Sequence, residues 1–102
     1  MKLLSVKKST AKGKKFMAEF CDCDGGTKCK PNTRRKIHFG ATGYLDYTIG
    51  ATDKQRTAYL ARHDKEKNQP ADTAGALSYY ILWGESRSRT KNIENFKKKY
   101  NV

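Results

Sequence analysis

The sequence predicts a small α+β domain: an N-terminal antiparallel β-hairpin, with residues 2–6 as a candidate third strand, followed by three short α-helices. Three observations carry that prediction. Residues 16–20 and 34–39 alternate apolar and polar side chains, the period of half-buried strands. Three later stretches carry apolar residues three and four apart behind capping residues, the period of amphipathic helices. Between the two regimes, residues 38–48 hold Gly40 and Gly43, which let the chain turn sharply where a side chain would clash.

Each element follows from its residues. Lys2 to Val6 reads as a short strand, and the small, basic stretch from Ser9 to Lys15 reads as a turn or arm broken at Gly13. Phe16, Ala18 and Phe20 share one face of a strand, and Ile37 and Phe39 face inward on the next, with Lys36 and His38 outward. A polar tip with Gly25, Gly26, Pro31 and Asn32 joins them. The corner, with Phe39, Gly40, Gly43, Tyr44, Leu45, Asp46 and Tyr47, is expected to pack the hairpin onto the helical layer. Thr52 and Gln55 form a capping-box pattern for a first helix reaching about Lys67, with Tyr59, Leu60 and His63 inward and Pro70 beyond its end. Asp72 is the expected N-cap of a second helix whose stripe is Leu77, Tyr80, Ile81 and Trp83, with Gly84 closing it. Ile93, Phe96 and Tyr100 face inward on the third helix, and Lys97, Lys98 and Lys99 in its last turn suit the helix dipole. One domain results: residues 1–15 a basic arm, 16–48 the hairpin and corner, 52–100 the helices. The expected core gathers around Phe39, Tyr47, Leu60, Leu77, Ile81, Trp83 and Phe96.

The chain has 102 residues with 36% hydrophobic content, which predicts a thin core. Lys and Arg number 22 against 10 Asp and Glu, a formal net charge of +12. Such a surface is drawn to polyanions, whether nucleic acid, acidic protein or anionic lipid. The residues expected to meet a partner are Lys2, Lys7, Lys8, Lys12, Lys14, Lys15, Arg34, Arg35, Lys97, Lys98 and Lys99. No apolar run could span a membrane or serve as a signal-peptide core, so a reducing compartment is expected.

Three cysteines, Cys21, Cys23 and Cys29, sit at the hairpin tip, with His38 on the return strand. Three thiolates and an imidazole are a legal zinc set, but structural zinc sites pair ligands two to four residues apart twice over. Here only the Cys21–Cys23 pair exists, with a single residue between its members. The expectation is a surface loop with free thiols, neither metal-bound nor disulfide-linked, and no cofactor. No activated nucleophile or carboxylate pair is visible, and His63 lacks a sequence partner for catalysis. The chain therefore reads as non-enzymatic. Trp83 and the Tyr79-Tyr80 pair could stack on bases, but the helical spacing of Leu77, Tyr80, Ile81 and Trp83 says core. Basic residues are spread over every segment instead of forming one groove-reading face.

Several motifs resemble a group of short basic proteins of large nucleocytoplasmic DNA viruses, of the chlorella-virus, mimivirus and marseillevirus kind. The matching residues are Lys15-Phe16-Met17-Ala18, His38-Phe39-Gly40, Gly43-Tyr44-Leu45-Asp46-Tyr47-Thr48 and Tyr59-Leu60-Ala61-Arg62-His63. Thr73-Ala74-Gly75, Ile81-Leu82-Trp83 and Lys97-Lys98-Lys99-Tyr100 continue the likeness. The tip from Cys21 to Arg34 looks like an insertion, and Gly84-Glu85-Ser86 departs from the Asn-Lys-Pro-type turn of the relatives. The resemblance implies a viral origin more than an activity. It leads to the expectation of a virion structural protein, a minor capsid or cement protein at the inner face of the shell, made in the host cytoplasm. Its expected partners are the major and other minor capsid proteins, with DNA possible in the alternative, a sequence-nonspecific nucleic-acid-binding protein of the virion core or of viral transcription.

Overall fold

The computed structural model describes residues 1–23, 25, 26 and 28–102. It is α+β, as the sequence predicts. Three antiparallel strands, β1 (Lys2–Lys8), β2 (Lys14–Cys21) and β3 (Arg35–Ala41), lie in the order β1-β2-β3. Three helices follow: α1 (Asp53–Arg62), α2 (Ala74–Leu77) with a π-helical continuation over Ser78–Leu82, and α3 (Arg89–Tyr100).

The expected alternation sets the register. Phe16 pairs with Phe39 and Ala18 with Ile37 across β2 and β3, and Val6 opposes Ala18 on the other side. This apolar face receives the helices. Leu3, Ala18, Phe20, Phe39, Ala71, Ala76, Leu77, Ile81, Leu82 and Phe96 form one buried cluster. The C-terminal residue closes it from below, where the Leu3 amide donates to the Val102 carbonyl at 3.3 Å. Residues 1–15 are thus not an arm: they form β1, a turn at Gly13 and the start of β2. Backbone pairing along β2 satisfies their amides, which outweighs the repulsion among their lysines.

The helix boundaries depart from the sequence reading in instructive ways. The Thr52 capping box forms, with the Gln55 amide donating to Thr52 Oγ1 at 3.1 Å and the Thr52 amide to Gln55 Oε1 at 2.8 Å. α1 nevertheless ends at Arg62, and a 3₁₀ segment covers Asp64–Asn68. That stretch has no apolar side chain to keep on the core. Tyrosine hydroxyls take up two of the carbonyls beyond α1: Tyr80 donates to Lys67 at 2.7 Å and Tyr100 to Gln69 at 2.9 Å. Thr73, not Asp72, caps α2, while Asp72 accepts from Arg35. The π turn then re-phases the second helix. Its amide at Trp83 reaches back five residues to the Ser78 carbonyl, so the register slips by one. Leu82, absent from the predicted stripe, is buried, while Trp83 and Tyr80 are only half-buried.

Gly84 has an ordinary backbone and no left-handed cap role. A side chain there would collide with the Tyr80 carbonyl at 2.2 Å and with Asn92 Cγ at 2.6 Å. Gly40 combines both demands: its φ is +79°, and a Cβ would lie 2.8 Å from Leu82 Cδ1.

Candidate interaction surface at the corner

The segment after β3 is organised by one acidic residue. Asp46 has about 1% of its surface exposed. It caps a 3₁₀ turn over Tyr47–Ile49, accepting from the Thr48 amide at 2.9 Å and from the Thr48 hydroxyl. Its other carboxylate oxygen meets Lys15 Nζ at 2.7 Å, and the same ammonium donates to the Tyr44 carbonyl at 2.6 Å. A second cation holds the corner from the helical side. Arg87 donates to the carbonyls of Tyr47 at 3.2 Å and Ala51 at 2.9 Å, with its guanidinium 4.1 Å from the Tyr47 ring centroid.

This arrangement turns the corner inside out relative to the sequence expectation. The charged residue is inside, and its apolar neighbours are outside. Tyr44 is 72% exposed, Leu45 54% and Ile49 52%. Tyr44 and Leu45 were expected to pack inward. They do not, because burying Asp46 against Lys15 throws the adjacent side chains to solvent. Tyr47 is half-buried under Arg87, and Gly43 supplies a left-handed residue at φ +85°. Tyr44, Leu45 and Ile49 form one wall of an open recess of about 700 Å³, with Val6 and Phe16 of the sheet opposite. Arg89 lies over the Phe16 ring at 4.3 Å, and Lys7, Lys8 and Lys14 border the opening.

The other predicted partner residues divide into two groups. Lys7, Lys8, Lys12, Lys14, Arg34, Lys97, Lys98 and Lys99 are exposed, and Lys2 is half-buried. Lys15 and Arg35 are structural instead. Lys15 is the partner of Asp46, and Arg35 bridges Asp22 at 3.2 Å and Asp72 at 3.1 Å, tying β3 to the tip and to the start of α2.

The cysteine tip also differs from expectation. Cys21 and Cys29 are joined by a disulfide, with Cα atoms 5.5 Å apart, and Cys23 is free. Beyond the β2–β3 ladder, a separate antiparallel bridge joins Cys23 and Cys29, and the Lys30 amide donates to the Asp22 carbonyl at 2.7 Å. That pairing folds Cys29 back onto Cys21, which spacing alone did not reveal. The zinc set does not assemble. His38 lies opposite Met17, with Nδ1 2.7 Å from Ser9 Oγ, and Cys21 is four residues further along β2, roughly 13 Å away. Among the described residues no group of three or more metal-ligating side chains occurs.

Tyr59 of α1 stacks on Trp83 at 4.3 Å and on His63 at 4.1 Å. α1 contributes no fully buried residue, Leu60 included, and rests on this stack and on Arg56, which donates to the carbonyls of Trp83 and Gly84 at 3.1 Å. Burial, reinforced by the Glu66 carboxylate, pushes the Tyr59 hydroxyl up to about 12. His63 Nδ1 sits 3.0 Å from Glu66 Oε1, a contact that orients the ring. Tyr79, Tyr80 and Trp83, expected in the core, line a recess of about 480 Å³ with Arg56, Lys67 and Lys99. All three are half-buried, with Tyr80 and Trp83 packed against the core cluster.

The chain is thus a small basic α+β domain whose corner displays apolar side chains among cations. The chain belongs to a family of unknown function, DUF5754, whose pattern matches residues 4–63. That span covers the sheet, the tip, the corner and α1. A similar protein is an uncharacterised protein of Acanthamoeba polyphaga mimivirus, 38% identical over 87 residues, covering 78% of this chain and 80% of that protein. No solved structure matches. Among the described residues, no helix is long and apolar enough to cross a membrane.

Proposed function

We propose that this protein is a non-enzymatic structural component of a large-DNA-virus particle, a minor capsid or cement protein that bridges or lines the shell. The observation that carries the reading is the corner, where Tyr44, Leu45 and Ile49 stand exposed on a loop that Asp46, Lys15 and Arg87 hold rigid. A fixed apolar display on a small domain marks a contact with another macromolecule. The net charge of +12 favours acidic neighbours, and the mimivirus relative supplies the viral setting. The test is cross-linking mass spectrometry on purified particles of the encoding virus, with shell and core fractions separated. The expected result is cross-links from Lys7, Lys8, Lys14 and Lys97–Lys99 to acidic segments of capsid proteins. Absence from particles, or contacts chiefly to nucleic acid, would overturn the reading.

A second reading has its own observation. The recess with Tyr79, Tyr80 and Trp83 among Arg56, Lys67 and Lys99 combines ring faces with cations, the ingredients of sequence-tolerant single-strand binding. That reading expects binding to mixed-sequence single strands that weakens steeply with salt and is lost on Trp83→Ala.

A further inference from the structure

The recess at the corner is asymmetric in charge. Its lining contains Lys7, Lys8, Lys14, Lys15 and Arg89 but a single carboxylate, Asp46. Lys15 already neutralises that carboxylate. Among the described residues, Lys7, Lys8, Lys14 and Arg89 have no acidic partner. The walls are apolar: Val6 and Phe16 on the sheet, Tyr44, Leu45 and Ile49 on the loop. At about 700 Å³ the recess has room for a few side chains of a bound segment.

We propose that this recess docks an acidic segment of a partner protein, with one or two large apolar side chains seated between Phe16 and Leu45 and carboxylates facing Lys7, Lys8 and Lys14. The inference rests on the structural role proposed above and names the chemistry of its partner. Charge complementarity selects the occupant. A second copy of this chain would bring a +12 molecule against a cationic rim, at a repulsive cost. A nucleic acid would match the rim but leave Val6, Leu45 and Ile49 without a counterpart, and Arg89 already covers the Phe16 ring. An acidic, apolar-anchored segment satisfies both. The loop is suited to this work because its backbone is held by Lys15 on one side and Arg87 on the other, so little ordering entropy is lost on binding.

The experiment uses the full chain and a synthetic peptide carrying one Phe and two Leu among Asp and Glu. A control peptide of the same acidity has Ser at the three apolar positions. Binding is followed by amide chemical shifts. The expected result is saturable shifts at Val6, Phe16, Leu45 and Ile49 with the first peptide, at least about tenfold weaker with the control. Leu45→Ser combined with Ile49→Ser should lose about tenfold or more in affinity, with the fold intact because both side chains are exposed. Equal binding of both peptides would reduce the site to diffuse charge attraction and overturn the proposal. So would shifts mapping to the Lys97–Lys99 end, concentration-dependent self-association through the corner, or a response to phosphatidylserine vesicles without one to the peptide. Particle cross-linking and peptide binding fail separately: a chain absent from particles that still seats the peptide refutes the location alone, and a shell protein that ignores the peptide refutes the recess alone.

Discussion

Lys15 and Asp46 form an ion pair shut away from water, Nζ to Oδ2 2.7 Å apart with side chains 13% and 2% exposed. The pair ties β2 to the corner, and it determines which side chains the corner displays. Removing one partner strands a buried charge, which costs about 3–5 kcal/mol. Asp46→Ala also removes the 3₁₀ cap. We expect Asp46→Ala and Lys15→Met each to lower stability by about 3 kcal/mol in urea unfolding, because Lys15→Met leaves the buried Asp46 carboxylate unpaired and Asp46→Ala leaves the Lys15 ammonium without its carboxylate. A loss under about 1 kcal/mol in both would show that the pair does not hold the corner.

Asn92 gives a second test. It is buried at 1% exposure, with Nδ2 donating to the carbonyls of Ile81 at 2.9 Å and Ser86 at 2.7 Å, and Oδ1 accepting from the Ser86 amide at 3.0 Å. It takes up the Ile81 carbonyl at the π turn. Asn92→Ala should cost about 2–3 kcal/mol, because the Ile81 carbonyl loses this partner in a dry site. Gly84→Ala should cost about 1–3 kcal/mol through collision with the Tyr80 carbonyl and this same Asn92. Thermal melts of the two variants measure both.

Tyr59 predicts a pH dependence. Its hydroxyl is raised from 10.0 to about 12, first by burial and then by Glu66. The neutral phenol is the form the fold accommodates. The contribution is therefore fully present below about pH 10, the unfolded value, and is lost as pH rises through about 12. Tyrosinate absorbance should show the Tyr59 step near 12, with Tyr47, raised by its bond to Asp53, and Tyr100, raised by burial, also above the ordinary tyrosine range. Trp83→Ala uncovers the stacked ring and should bring that step down toward its ordinary range; an unchanged late step would mean that the Trp83 stack does not cause it.

The tip yields a thiol count. Unreduced protein should show one reactive thiol, Cys23, and reduction should expose Cys21 and Cys29 as well. The loop closed is short, so reduction should cost roughly 2–3 kcal/mol. Stoichiometric zinc in the native protein would contradict this pairing.

The sequence by itself determined the strands, the three-helix order and the Thr52 cap, because hydrophobic period and capping are local properties that neighbours in the chain already express. It placed Phe39, Leu77, Ile81 and Phe96 in the core for the same reason. What only the tertiary structure decided are contacts between distant residues. The Cys21–Cys29 pairing needs the tip to fold back on itself through a separate bridge between Cys23 and Cys29. The π turn, which buries Leu82 and leaves Trp83 half-buried, is a one-residue slip invisible to a 3.6-residue period. The inverted corner depends on Lys15 lying 31 residues before Asp46 in sequence and 2.7 Å away in space. Adjacent apolar residues read as interior until a buried charge claims the inward position, and that preference is set by the partner across the fold.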